Sequence, residues 1–231
     1  MTAGRVALVS GAGRGIGAAI AARLHEAGWR LSLGNRRPQM PAWGRAESVH
    51  LHAYDATQGA EDAWVEAALA AFGRIDAIVA NAGLMIPKTV VEADDGDLEA
   101  MLEVNVKAPR RLAKAAWEAL SENGRGRVVL LASLSGKRVK SAHSGLYAMT
   151  KFAAVALVHG IRQAGFDRGI RATAVCPGFV ATDMARAITD RPAELMTDPG
   201  DIARVVAMLL DLPNEASVAE FAINCQLEES F

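Results

Sequence analysis

Residues Arg5–Gly17 read RVALVSGAGRGIG, an apolar run that stops at Ser10 before four glycines in seven residues. A helical pattern follows at once. Ile16, Ile20, Leu24 and Ala27 share one face, and Gly28 is placed to stop it. Strand, glycine turn and helix in that order make the first half of a βαβ unit. Glycines at such a turn let backbone N–H groups approach an anion that the helix dipole also favours. Any larger side chain would hold a pyrophosphate away. The spacing reads as Gly11-x-x-x-Gly15-x-Gly17, or as Gly13-x-Gly15-x-x-Ala18, both variants of the dinucleotide fingerprint. No Gly-Lys-Ser/Thr follows, so this is not a P-loop. A tight turn that binds nothing would look alike, and methyltransferase-like sheets also use glycine turns, so the motif alone selects no cofactor.

Working outward, short β-like runs alternate with longer helical patterns. Strands are expected at Arg5–Ser10, Arg30–Gly34, Val49–Ala53, Ile75–Ala80, Arg127–Ala132, Ile170–Val175 and Ala219–Asn224. Helices are expected at Ile16–Ala27, Ala60–Phe72, Asp94–Leu120, Gly145–Gly165 and Pro199–Leu210. The strands are rich in Val, Ile and Leu without strict alternation, as in a parallel sheet covered on both faces. The expected fold is therefore α/β: a Rossmann-like, doubly wound, seven-stranded parallel sheet with helices on both faces. No linker or repeat interrupts residues 1–231, which read as one domain. The stretch Arg36–Ser48, with Pro38, Pro41 and Gly44, is short for a helical crossover and reads as irregular.

The totals narrow the partners. A formal net charge of −1 argues against broad attraction to nucleic acid or to anionic membranes. No apolar run reads as a membrane span, and the first strand starts too early to leave room for a signal peptide. Cys176 and Cys225 form neither a disulfide framework nor a zinc-like spacing, so no metal is expected and a reducing cytoplasm fits.

The stretch YAMTK puts Tyr147 and Lys151 one helical turn apart on the same face. A free phenol titrates near about 10, too high for proton transfer at neutral pH. A nearby cation would favour the phenolate and lower that value. The pair is thus a candidate general acid with its tuning charge.

Taken together, the motifs resemble those of the classical short-chain dehydrogenase/reductase family over nearly the whole chain. They are SGAGRGIG at Ser10–Gly17, ANAG at Ala80–Gly83, VNV around Asn105, LASLSG with Ser133, YAMTK, and PGFVAT at Pro177–Thr182. The resemblance implies a hydride transfer between a nicotinamide coenzyme and a carbonyl or secondary alcohol. It makes Tyr147 the proton donor to the carbonyl oxygen, or the base in reverse. Lys151 would lower the tyrosine pKa and bind the nicotinamide ribose. Ser133 would stabilise the substrate oxygen, in preference to Ser135, since it ends the strand three residues before Gly136. Asn105 would hold a water in a proton relay to the lysine. Coenzyme contacts are expected from Gly11, Arg14, Gly15, Ile16, Gly17, Asn81, Ala82, Gly83, Tyr147, Lys151, Pro177, Gly178 and Thr182, the last at the nicotinamide carboxamide. Asp55 resembles the contact to the adenine amino group.

Where NAD binding calls for an acidic side chain, about 20 residues beyond the glycines, the chain has Asn35 followed by Arg36 and Arg37. A carboxylate would repel a 2′-phosphate, whereas guanidinium binds it bidentately. The expected cofactor is NADP(H), with NAD as the other candidate. In the family the stretch at about 179–198 carries a flexible substrate lid, and Met85, Ile86, His143, Phe179 and Met184 are candidate pocket residues. The ending AEFAINCQLEESF departs from the common Val-Asp-Gly-Gly close. The resemblance implies a homodimer or homotetramer pairing through long helices. A nucleotide-sensing protein without catalysis is the competing reading; it has no need of Ser133, Asn105, Tyr147 and Lys151 together.

Overall fold

The structure is a computed structural model and describes residues 4–227. The apolar runs form seven strands: β1 (Val6–Ser10), β2 (Arg30–Asn35), β3 (Val49–Ala53), β4 (Ala77–Ala80), β5 (Arg127–Leu131), β6 (Arg171–Pro177) and β7 (Glu220–Ile223). All pair parallel, in the order β3-β2-β1-β4-β5-β6-β7. Every residue of β1, β4 and β5 is buried, which explains why these strands lack polar alternation.

Helices cover both faces. On one lie α1 (Gly15–Glu26) and α8 (Pro199–Asp211), whose Ile20, Leu24, Ile202 and Val206 pack on Val9, Val79 and Val129 of the sheet. On the other lie α2 (Glu61–Phe72) and α6 (Gly145–Gly165), with Trp64 and Val158 against Leu8, Ile78 and Leu130. Trp64 packs against Gly34, where an added Cβ would meet its ring at 2.6 Å, and donates its indole N–H to Ser32 at 2.8 Å. Between β2 and β3 there is no helix, as expected; Trp43 fills the gap, its ring tilted 37° to that of His25 at a centroid distance of 4.8 Å.

Two expectations need correction. The long helix Asp94–Leu120 is three pieces: α3 (Asp95–Leu102), α4 (Ala108–Ala115) and α5 (Trp117–Glu122), with a π turn at Glu103–Lys107 joining the first two. Pro109 is the cause within reach. It lacks the N–H that the Asn105 carbonyl would receive in an α-helix, and its ring crowds that carbonyl. The second concerns membrane spans. The helical stretch Ala142–Arg168 is long and apolar enough to cross a membrane by length and composition. Its Ala148, Ala154 and Val158 are instead packed inside the fold, so it is a core helix.

Candidate active site

Strand order reverses between β1 and β4, so their carboxyl ends open a crevice, the usual ligand position in doubly wound sheets. The glycine turn lies there. Gly15 has φ +54°, a conformation that L side chains avoid. Gly17 is required for a different reason: an added Cβ would come within 2.3 Å of the Gly11 carbonyl and 2.4 Å of Asn81 Nδ2. Arg14 occupies the N-cap of α1 without a side-chain cap, leaving the first-turn N–H groups facing the crevice. Ile16 packs inward against the α1 side of the core.

Asn81 braces this turn from β4. Its Nδ2 donates to the carbonyls of Ser10 and Gly11, each at 3.1 Å. Ser10 returns the contact, its hydroxyl accepting from the backbone N–H groups of Asn81 and Ala82 at 3.0 Å. Ser10 escaped the sequence reading. Its signal was a hydroxyl closing an otherwise apolar strand.

At the end of β2, the Asn35 side chain lies over Gly13, 3.3 Å from where a Cβ would stand. Arg36 and Arg37 are exposed beside it. Asp55, just past β3, accepts from the Thr57 N–H at 3.0 Å and from its hydroxyl at 2.9 Å; these hydrogen bonds hold the carboxyl below its ordinary range. Arg14 reaches away from this corner to Asp183 in α7 (Asp183–Arg186), at 2.8 Å.

The polar residues of the sequence motifs converge on the far side of the crevice. Ser133 caps the turn Leu134–Gly136 after β5, its Oγ accepting from the Ser135 N–H at 3.0 Å. That hydroxyl donates to the Pro177 carbonyl at 3.5 Å and stands near enough to the Tyr147 phenol to oppose part of its upward shift. Tyr147 and Lys151 are both buried on α6, with Lys151 Nζ 5.6 Å from the phenol ring centroid. Lys151 donates to the Leu131 carbonyl at 2.8 Å. The expected downward pull of Lys151 on the tyrosine is not what this geometry gives. Burial pushes the phenol well above its ordinary value, and the nearby Ser133 hydroxyl only partly opposes it. Burial likewise brings the Lys151 ammonium down to about 8.

Asn105 sits in the π turn, 1% exposed. Its amide clamps Leu84 in both directions, donating to the carbonyl at 2.8 Å and accepting from the N–H at 2.9 Å. It also donates to Thr150 Oγ1 at 2.9 Å, and Thr150 donates to the Tyr147 carbonyl at 2.8 Å. Thr150, unremarked in the sequence although it lies inside YAMTK, thus ties Asn105 to the tyrosine's own turn. Gly83 lies between Asn105 and Lys151, its Cβ direction 3.6 Å from Oδ1 and 3.8 Å from Nζ.

Pro177 ends β6 and Gly178 follows it, tight against Asn224 and donating its N–H to the Ile223 carbonyl at 2.8 Å. Thr182 caps α7 with its hydroxyl and lays its methyl against the Gly15 turn. A backbone bridge from Val180 to Thr197 closes the base of the 179–198 segment. Of the candidate pocket residues, Met85 and Ile86 pack beneath Tyr147 with Met101 and Leu146. His143 and Met184 are exposed, and Phe179 is half-buried.

Residues 5–193 match the family described as short chain dehydrogenase. The chain belongs to that family.

Among short-chain dehydrogenases, the chain is 39% identical over 228 residues to agropine synthesis reductase of Rhizobium rhizogenes, covering 96% of this chain and 53% of that protein. The chain thus spans about half the length of this curated relative. An alcohol dehydrogenase from the archaeon Thermococcus sibiricus, solved with 5-hydroxy-NADP, superposes with a TM-score of 0.84 at 31% identity, covering 97% of this chain and 99% of that one. A short chain dehydrogenase from Burkholderia cenocepacia in complex with NADP gives 0.83 at 29% identity, covering 96% of each chain. Members of the family are NAD(P)-dependent oxidoreductases acting between CH–OH and C=O. The crevice suits such a dinucleotide. A glycine turn that tolerates no Cβ at Gly17 and an uncapped helix N-terminus form a phosphate cradle of the required chemistry.

Proposed function

We propose that this chain reduces a small-molecule carbonyl with NADPH, and oxidises the corresponding secondary alcohol in reverse. The observation that carries the reading is that Tyr147, Lys151 and Asn105 are joined beside a glycine-turn crevice: Lys151 Nζ is 5.6 Å from the phenol ring, and Asn105 reaches the tyrosine's backbone through Thr150. The nicotinamide, when bound, supplies or accepts the hydride. Tyr147 holds the proton delivered to the carbonyl oxygen. Burial keeps that phenol in its protonated form. Ser133 donates to the same oxygen and stabilises charge as it develops there. Lys151 contributes a buried cation behind the phenol, and Asn105 fixes the Leu84 backbone and the Thr150 hydroxyl that frame both.

The preference for NADPH rests on Asn35, Arg36 and Arg37, where no carboxylate stands to repel a 2′-phosphate. The Thermococcus and Burkholderia neighbours, solved with NADP-type nucleotides, support it. The segment 179–198 acts as a substrate lid in this reading, hinged beside Gly178. Exposed Met149 and Phe152 on α6 support a homo-oligomer, and two free cysteines suit a reducing cytoplasm.

A panel of aldehydes and ketones, followed by loss of NADPH absorbance, tests the proposal directly. Turnover with at least one carbonyl is expected. Tight NADPH binding without turnover on any aldehyde, ketone or alcohol would instead make the chain a nucleotide sensor.

A further inference from the structure

Asp183 opens α7 with each carboxylate oxygen on a different arginine. Oδ2 is 2.8 Å from Arg14 Nη1, and Oδ1 is 2.6 Å from Arg186 Nη2. Arg186 is a neighbour on the same helix. Arg14 comes from 169 residues away, is the N-cap of the glycine-turn helix, and follows Gly13, over which lies Asn35 at the β2 corner where a 2′-phosphate would stand. A second contact fixes the same juxtaposition, because the Thr182 methyl rests against Gly15. The first turn of α7 is therefore held on the phosphate cradle by one ion pair and one apolar contact.

We infer that Asp183 is a coenzyme-specificity residue: its carboxylate competes with the 2′-phosphate of NADP(H) for Arg14, and so sets how strongly that nucleotide is preferred over NAD(H). The inference rests on the NADP(H) reading given above. The two charges are 72% and 58% exposed, so the pair is solvated and readily exchanged. A 2′-phosphate carries more charge than a carboxylate and offers three acceptor oxygens to a forked guanidinium. When Arg14 turns to it, Asp183 keeps Arg186, so no carboxylate is stranded. Arg36 just past β2 supplies a second cation for the same phosphate; its carboxylate neighbour is Asp55, with no ion pair between them among the described residues. NAD(H) presents only a hydroxyl there and has nothing to offer in exchange, so its binding is insensitive to Asp183.

Dissociation constants for NADPH, NADH and 2′,5′-ADP, measured by titration calorimetry at low salt, test this in the wild type, Asp183→Asn, Arg14→Ala and the double variant. Asp183→Asn is expected to tighten NADPH and 2′,5′-ADP about two- to fivefold, the scale of an exposed ion pair, while NADH is unchanged. The gain is expected to vanish when Arg14 is absent. Asp183→Ala, with a thermal melt alongside, guards against a folding defect in the Asn variant and should give the same pattern. Equal tightening of NADH, no tightening, or a gain that survives Arg14→Ala would overturn the competition. A wild type that binds NADPH no better than NADH, with 2′,5′-ADP not binding, would remove the NADP(H) reading and this inference together. A clear NADPH preference with an inert Asp183→Asn would remove only the inference.

Discussion

Tyr147 and Lys151 stand one turn apart, as their spacing requires, yet the tyrosine is not acidified in the folded chain. Its hydroxyl is buried near that of Ser133, and Lys151 spends a donor on the Leu131 carbonyl. The sequence gives which groups share a helix face, but not how much water they lose. Substituting Tyr147→Phe removes the proton and keeps the ring's packing. The expected result is a kcat lower by about 10²–10⁴-fold, the range of general acid catalysis, with NADPH binding nearly intact in a fluorescence titration. Arg36→Ala belongs to the same scale. It should weaken NADPH more than NADH, because only NADPH carries the phosphate that a guanidinium rewards; equal losses in the two titrations would contradict the argument.

At the scale of elements, the chain's punctuation was readable and its tertiary clamps were not. Asp94 caps α3 with a reciprocal bond to Asp97, and that start agrees with the expected one. Pro109 was in plain view too, yet its effect on the helix before it passed unread. The π turn it accompanies carries Asn105, whose amide meets Leu84 from the loop after β4 and Thr150 from α6. Asn105→Ala would leave buried polar groups on both partners unpaired. A loss of about 1–3 kcal/mol is expected, read from urea unfolding, with turnover falling as well. Trp64 makes the corresponding joint between α2 and β2. It fits because Gly34 has no side chain, and Trp64→Ala should cost about 3–5 kcal/mol in the same measurement.

Across the whole molecule, titration of the folded state is a test of how the sheet edge is built. His50 and His52 alternate along edge strand β3. Burial lowers the pKa of both, and the neighbouring His52 charge lowers His50 further. Each therefore binds a proton less readily folded than unfolded. Their contribution is full above about 6.5, the unfolded value, and is lost as pH falls from there through the lowered folded values. Urea midpoints should decline from pH 7.5 to 5.5, and the decline should flatten in a His50→Gln/His52→Gln variant. A profile that is level in the wild type would refute this reading of the edge.

The sequence by itself determined the order of strands and helices, the glycine cradle and the set of polar residues, because periodicity and turn chemistry are local properties. Tertiary structure alone decided the burial of Tyr147, the grip of Asn105 on Leu84 and the pairing of Arg14 with Asp183. Each of those depends on burial, or on a partner distant along the chain, and neither is written in the spacing of neighbours.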